Sequence, residues 1–239
     1  MRPFKTAAAA ALIALTAVAG LLSGVSVPVD AAIEGVRARG SLLASDTFSS
    51  SASRSAFNTV LAPNPTDIGF AQSMIAHHNQ ALYLAMLVQN HPNPYIRNLS
   101  QTVRQKQGHE TGLMLGWLNA WGAAPMTLDN MAWVNQTTRE LSAEDVLFIS
   151  RCAANPAQMP GQASASEIEK LKKAQPDEQA RLFLQYMKRH HEAALEMAAF
   201  ASRHASLSFV RSFSLSVIKE QGREIASMSH VLATAQNLK

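Results

Sequence analysis

The same set of residues occurs twice in the chain, 113 positions apart, and this repetition constrains the fold more than any other feature. A phenylalanine, a methionine and two adjacent histidines recur at one spacing. A glutamine, a glutamate and a second methionine also recur, and the separation between their two copies is one residue longer. The first copy contains Phe70, Met74, His77, His78, Gln107, Glu110 and Met114, and the second contains Phe183, Met187, His190, His191, Gln221, Glu224 and Met228. So many identities in order indicate an internal duplication.

Each copy has the pattern of a helical hairpin. In the first copy, apolar residues return every three to four positions over 66–89, which predicts an amphipathic helix. Asn93 and Pro94 are typical of a helix cap and a first helical turn, so a second helix is expected over 94–120, before Gly122. Two helices joined by so short a turn pack antiparallel.

The second copy predicts helices over 176–204 and 208–236. Two hairpins bury their apolar stripes against each other, so the sequence predicts an all-α four-helix bundle. Between the hairpins, two helix-start signals predict short connector helices over 143–153 and 165–174.

The N-terminus has the pattern of an export signal. Arg2 and Lys5 precede an apolar run over 6–22, and small residues follow at 29–31. These features predict a cleaved signal peptide over 1–32 and a mature protein in the bacterial periplasm or secreted. Because the apolar run has about 17 residues, the lower limit for a membrane span, an uncleaved membrane anchor is the alternative.

The rest of the chain divides by composition and pattern. A Ser-rich linker is expected over 33–63, the first hairpin over 64–122, a connector over 123–175 and the second hairpin over 176–239. The net charge of +4 is too weak to indicate nucleic-acid binding. The single cysteine excludes an intramolecular disulfide and a zinc site built from thiolates.

The repeated methionine and histidines share one helical face. A helix turns about 100° per residue, so residues three, four or seven positions apart lie on one side. Met74, His77 and His78 fall on the stripe that faces the bundle, and their counterparts in the second copy do the same. Met197 follows His190 by two turns along the same face and is a third candidate residue of the second site.

Each partner helix contributes a glutamate to the same interior. Glu110 and Glu224 lie on inward faces, whereas His109 and His230 fall on the outer sides of their helices. Glu196 points away from Met187 and is rejected as part of the site. The candidate metal-binding residues are Met74, His77, His78, Glu110, Met114, Met187, His190, His191, Met197, Glu224 and Met228.

Imidazole together with thioether suits copper. Methionine sulfur selects Cu(I), and imidazole accepts either oxidation state, so the expected ligand is Cu(I) or Cu(II). A glutamate would ligate the ion or fix the histidine tautomer. The alternative is a metal-free helical interaction module, in which methionines fill the core and His–Glu pairs satisfy each other. The recurrence of the pattern favours copper sequestration, carriage or tolerance.

The two motifs also resemble those of the bacterial "domain of unknown function 305" family. The residues that carry this resemblance are the run Phe-x3-Met-x2-His-His-x2-Ala, the run Gln-x2-Glu-x3-Met, Trp117-Leu118, Met159-Pro160-Gly161 and Ser166-Glu167. The resemblance covers most of residues 64–239 and implies two tandem copies in a ferritin-like bundle, usually exported. Some members bind copper. The copies differ, since Tyr83, Leu84 and Asp67 stand where the second copy has Glu196, Met197 and Ala180.

The sequence favours a binding protein over an enzyme. No Glu-x-x-His pair of the kind used by ferritin-like di-iron oxidases occurs, and hydrolase and phosphate-loop motifs are missing as well. The expected partners are a metal ion and a copper-transport protein, and a membrane only if the signal stays as an anchor.

Overall fold

The computed structural model describes residues 62–127, 131–154 and 159–234. The predicted signal peptide and nearly all of the Ser-rich linker lie outside these ranges. The described residues contain helices and no strands, which confirms the all-α prediction. The elements are α1 (Pro65–Leu87), α2 (Pro94–Ala120), a 3-10 helix (Ala132–Gln136), α3 (Ala143–Ala154), α4 (Ala165–Lys173), α5 (Pro176–His204) and α6 (Ser208–Ala233).

The long helices begin where prolines and capping residues predict. Asn64 caps α1 in a capping box with Asp67, and Asn93 accepts a hydrogen bond from the backbone N–H of Tyr95 at the start of α2. Pro176 opens α5 in the same way as Pro65 opens α1. These local signals explain why the predicted starts of the long helices agree with the structure to within one residue.

Asp67 also ties α1 to the distant start of α6. Its carboxylate accepts hydrogen bonds from the backbone N–H groups of Ser206 (3.0 Å) and Leu207 (3.1 Å), which lie 139 and 140 residues further along the chain. The Asn64 side chain donates to the carbonyl oxygen of His204 at 2.9 Å. One carboxylate thus satisfies orphan donors at two helix N-termini.

The four long helices form two hairpins, α1 with α2 and α5 with α6, and the hairpins meet through α1 and α5. The two histidine-bearing helices are therefore the inner pair. The 3-10 helix and α4 pack against α1, and α4 also packs on α5. This arrangement is the predicted four-helix bundle with short connector helices.

Two apolar clusters flank the histidines. On α1 the histidines separate Met74, in the first cluster, from Ala81, in the second. On α5 the order is reversed, because Met187 lies in the second cluster and Ala194 in the first. The inner helices therefore run antiparallel, and the four histidines form a polar layer between two apolar cores.

The connector is docked onto the bundle by specific contacts. A Cβ on Gly69 would lie 2.2 Å from the Trp133 side chain, so glycine lets the 3-10 helix approach α1 closely. The Trp133 indole N–H donates to the Ser73 hydroxyl at 2.9 Å. On the other side, Asp145 of α3 accepts from His204 at 2.9 Å. The connector thus closes over the inner helix pair.

Candidate metal centre

Four histidines lie at the contact between α1 and α5, and none exposes any surface to solvent. They are His77 and His78 on α1, and His190 and His191 on α5. The His77 and His190 rings are in direct contact, with centroids 3.6 Å apart and planes tilted by 33°. The two repeated motifs therefore meet at the centre of the bundle rather than forming separate sites.

Each histidine uses its Nε2 atom to contact an oxygen. His78 pairs with Glu110 at 2.6 Å, and His191 pairs with Glu224 at 2.8 Å. The inner rings contact carbonyl oxygens instead, His77 that of Pro160 at 3.2 Å and His190 that of His77 at 2.9 Å. Carbonyl oxygens only accept hydrogen bonds, so Nε2 of both inner rings carries the proton.

The opposite ring nitrogens have no hydrogen-bond partner. All four Nδ1 atoms are buried and unpaired, and so are the side-chain amides of Gln107 and Gln221. Buried polar atoms are nearly always paired, so this many orphans along one layer is unusual. In a neutral ring with Nε2 protonated, Nδ1 carries a lone pair, which is the form that binds a metal.

Burial keeps the inner rings neutral. Desolvation, assisted by the charge of neighbouring His78, lowers the pKa of His77 to about 3. Desolvation and then the charge of His77 lower the pKa of His190 well below its usual value. Both rings therefore hold a free Nδ1 lone pair at neutral pH.

Glu224 is held ionised. Burial raises the pKa of this carboxyl, but the hydrogen bond and charge of His191 and those of Lys106 outweigh burial, so its pKa is lowered. An ionised carboxylate on the Nε2–H of His191 fixes that tautomer and orients the ring. Glu110 contacts His78 in the same way.

A tight turn supplies the oxygen that His77 contacts. Gly161 has φ of 75°, and a Cβ there would lie 2.5 Å from the Ala193 side chain and 2.7 Å from the Arg189 carbonyl oxygen. Only glycine lets this turn approach α5 closely enough to place the Pro160 oxygen on His77. Sequence reasoning missed this role, although the Met159-Pro160-Gly161 run was visible within the family resemblance.

The five candidate methionines are fully buried and divide between the two apolar clusters. Met74, Met114 and Met197 lie in the first cluster, and Met187 and Met228 in the second. Met187, His190 and Met197 are all buried along α5, as one shared face requires. Met197 packs in the cluster that contains Met74, and Met187 packs in the other cluster, because α1 and α5 run antiparallel.

Several other side chains lie where the sequence placed them. His109 and His230 are exposed on the outer helices, and Glu196 forms an ion pair with Arg151 at 2.9 Å.

Cys152 is buried, and burial followed by the charge of Glu196 raises the pKa of its thiol to about 11. Among the described residues, no three His, Cys, Asp or Glu side chains converge tightly enough to hold a metal ion by themselves.

The fold and site define a helical-bundle protein with a buried histidine layer braced by two glutamates. The sequence profile of DUF305, a domain of unknown function, matches residues 67–232, so the chain belongs to the DUF305 family. The match spans both hairpins; that these are two tandem copies stays a prediction. No curated protein sequence matches the chain significantly.

Solved structures that share the fold include two DUF305 proteins and CopM. A candidate secreted DUF305 protein from Streptomyces coelicolor has a TM-score of 0.60 at 24% identity, over 72% of this chain and 92% of that one. A DUF305 fragment from Deinococcus radiodurans has a TM-score of 0.55 at 24% identity, over 72% and 97%. CopM in its Cu(II)-bound form has a TM-score of 0.52 at 20% identity, over 70% and 96%.

None of the helices in the described ranges combines the length and apolarity needed to cross a bilayer.

Proposed function

We propose that this protein is an exported copper-binding protein that sequesters or carries the ion, or confers tolerance to it. The observation that carries the proposal is the set of four buried Nδ1 atoms without partners. A buried lone pair that no donor meets costs free energy, and a bound ion would offset that cost.

The donor chemistry fits copper. The histidines offer unpaired Nδ1 atoms as nitrogen donors, and the thioethers of Met74 and Met187, one turn before His77 and His190, would add soft sulfur. Glu110 and Glu224 contact the Nε2 side and therefore act by orienting rings rather than as ligands. The remaining candidate methionines, Met114, Met197 and Met228, would add polarisable sulfur to the two apolar clusters on either side of the histidines.

Structural similarity to a copper-bound protein adds support. CopM, which shares the fold, has been solved in Cu(II)-bound and Cu(I)-bound forms. From this similarity we propose that copper is the metal here as well. Export through the predicted signal peptide, a copper-transport partner and the absence of enzymatic activity complete the proposal, together with the origin of the hairpins as tandem copies.

Thermal unfolding with and without copper tests the proposal. Wild type and His190→Ala are melted with chelator, with Cu(II), and with copper held reduced. Binding to the folded state stabilises wild type by about 2.7 kcal/mol at a hundredfold excess over Kd. That gain is expected to be largely lost in His190→Ala and kept in His109→Ala, a matched control that removes an exposed histidine. A wild-type Tm that ignores copper would overturn the proposal.

A metal-free interaction module is the second candidate. It is favoured by the two His–Glu pairs, which satisfy each other, and by the lack of a converging group of three ligands in the described ranges. In that case His190→Ala destabilises the protein equally with and without copper. The metal content of protein purified from the periplasm gives a second, independent discrimination.

A further inference from the structure

A short span of the connector crosses the histidine layer. Met159, just before the span, lies in the first apolar cluster, and Ala163, at the end of the span, lies in the second. Because the histidines separate these two clusters, the backbone between Met159 and Ala163 passes over the layer. We call residues 160–163 the strap.

The strap touches both inner helices at the histidines. Its Pro160 carbonyl oxygen contacts Nε2 of His77, and a Cβ on Gly161 would lie 3.3 Å from the Cα atom of His190. The Nε2 atoms of the other three histidines contact atoms that belong to the long helices. The strap is therefore a cover that can leave the layer without any long helix moving.

The strap begins with a preformed turn. The backbone N–H of Gln162 donates to the carbonyl oxygen of Met159 at 3.3 Å, with Pro160 and Gly161 at the two positions between them. Gly161 has φ of 75°, and proline followed by such a glycine is the pattern of a type II turn. Because proline fixes its own φ, the turn keeps its shape and can move as one unit.

The hydrogen bonds that hold the middle of the strap are long. The Pro160 oxygen lies 3.2 Å from Nε2 of His77. The Arg189 guanidinium donates to the carbonyl oxygen of Gly161 at 3.4 Å and to that of Gln162 at 3.5 Å. N–H···O bonds weaken beyond about 3.2 Å, so these contacts hold the turn loosely.

The end of the strap is held by one side chain of α1. Gln80 donates through its amide nitrogen to the carbonyl oxygen of Ala163 at 2.9 Å, and its amide oxygen accepts from the Ala163 N–H at 2.6 Å. Both bonds are lost together when the Gln80 side chain turns away. Met159, only 3% exposed, anchors the opposite end.

We propose that the strap is a lid over the histidine layer, which opens when Gln80 releases Ala163 and so admits the ion to His77 and His190. All four histidines are without exposed surface, so an ion reaches them only after a covering group moves. The lid rests on the proposed copper function and extends it to the way in which the site opens.

Chemical modification of the copper-free mature chain measures the opening by itself. Diethylpyrocarbonate acylates accessible imidazoles, and mass spectrometry gives the rate at each histidine. Gln80→Ala removes both bonds to Ala163 and is expected to raise the rate at His77 about tenfold. The rate at His78, which Glu110 contacts from α2, is expected to stay at its wild-type value.

Gln72→Ala is the matched control. Gln72 is also a half-buried glutamine of α1, but its amide donates to the carbonyl oxygen of Ala124 at 2.7 Å rather than to the strap. We expect this variant to leave the rate at His77 unchanged. Equal rates in Gln80→Ala and Gln72→Ala would overturn the lid. An equal rise at His77 and His78 would overturn it as well, because the whole bundle would then have loosened.

Stopped-flow mixing with Cu(II), and with copper held reduced, connects the lid to the proposed function. An ion enters and leaves through the same opening, so Gln80→Ala is expected to speed association and dissociation together by about tenfold, with little change in Kd. Faster modification with an unchanged association rate would overturn the lid as the route and leave the copper function standing. If neither wild type nor Gln80→Ala binds copper in either form, the copper function fails, and the role of the lid in admitting the ion fails with it. Circular dichroism checks that each variant keeps the helical fold.

Discussion

The two His–Glu pairs are equivalent in sequence but differ in their surroundings. His78 and Glu110 are 2.6 Å apart, and His191 and Glu224 are 2.8 Å apart, with the glutamates exposed to nearly the same extent. Glu224, however, also binds Lys106, whereas among the described residues no lysine or arginine pairs with Glu110. One position outside the repeated motif, Lys106 against Glu220, is enough to make the two halves of a duplicated site electrostatically unequal.

The inner histidines differ in a second way. The acceptor for His77 is the Pro160 carbonyl of the connector, whereas the acceptor for His190 is the carbonyl of His77 within α1. The tautomer of His77 therefore depends on a turn that has no counterpart in the other hairpin. The two hairpins have equivalent helices, but the backbone oxygens that their inner histidines contact are not equivalent.

The largest expected effect is acid instability caused by the inner rings. An unfolded histidine titrates near 6.5, while the folded state keeps His77 neutral down to about 3 and also keeps His190 neutral. The unfolded state binds more protons in this window, so the free energy of unfolding falls on acidification by about 1.4 kcal/mol per pH unit for His77, and His190 adds to this fall below pH 6.5. Urea unfolding across this pH range measures the slope.

The double variant His77→Gln/His190→Gln sharpens that measurement. It removes both rings from the central contact, so the slope below pH 6.5 is expected to flatten relative to wild type. His109→Gln, with its exposed ring, is expected to leave the slope unchanged. An unchanged slope in the double variant would show that the inner rings are not responsible.

Gly161→Ala tests the asymmetric brace on His77. Alanine at φ 75° strains the backbone, and its Cβ would overlap the Ala193 side chain. We expect a loss of about 2–4 kcal/mol in the free energy of unfolding. Gly108→Ala is the control, because Gly108 is helical and its Cβ would meet open space, so it is expected to stabilise by about 0.5–1 kcal/mol. If Gly161→Ala and Gly108→Ala lowered the free energy of unfolding equally, the Pro160 turn would not be specifically required.

Glu224→Gln compared with Glu110→Gln tests the charge difference between the pairs. The folded pKa of Glu224 is lowered, so its ionised form contributes stability above the usual carboxyl pKa, and that stability is lost as pH falls through the lowered value. At neutral pH we expect Glu224→Gln to cost about 1 kcal/mol more than Glu110→Gln, because it also releases Lys106. The difference should disappear in acid. Chemical denaturation of both variants provides the values.

The smallest expected effect comes from exchanging the buried methionine Met197, which the first copy replaces with leucine. Met197→Leu and Leu84→Met are nearly volume-conserving and should each change stability by less than about 1.5 kcal/mol. Because Met197 packs in the cluster of Met74, Met197→Leu is expected to weaken Cu(I) binding and to affect Cu(II) less. Competition with a Cu(I) chelator measures this, and an identical change for both oxidation states would argue against sulfur ligation.

The sequence predicted the helices well because their signals are local. Prolines, caps and the apolar period lie within a few residues of the ends they define, as at Pro94 and Pro176. That each hairpin brings a histidine and a glutamate together also follows from helical faces, but which of the two adjacent histidines makes the pair does not. The relative position of residues on different helices is not a local property, since Met197 could be assigned to the same cluster as Met74 only once the antiparallel crossing of α1 and α5 was known.

The contacts that hold the histidines and glutamates in place could not be predicted from the periodicity of the sequence. The Pro160 carbonyl is a backbone atom in a loop, and its position depends on how closely Gly161 approaches α5. The salt link from Lys106 to Glu220 joins two different helices and is not part of the repeated motif. Such long-range contacts leave no repeating pattern in the sequence.

The hydrogen bonds that Asp67 accepts at the start of α6 have a consequence for the order of folding. Because synthesis proceeds from the N-terminus, α1 and α2 emerge first, yet the backbone donors at 206 and 207 that Asp67 accepts from are made almost last. A contact spanning 140 residues closes a long loop, and such closure is entropically costly and slow. The first hairpin must therefore wait, with its histidine face uncovered, until the second arrives. In that interval the uncovered apolar faces leave the half-built domain prone to aggregation.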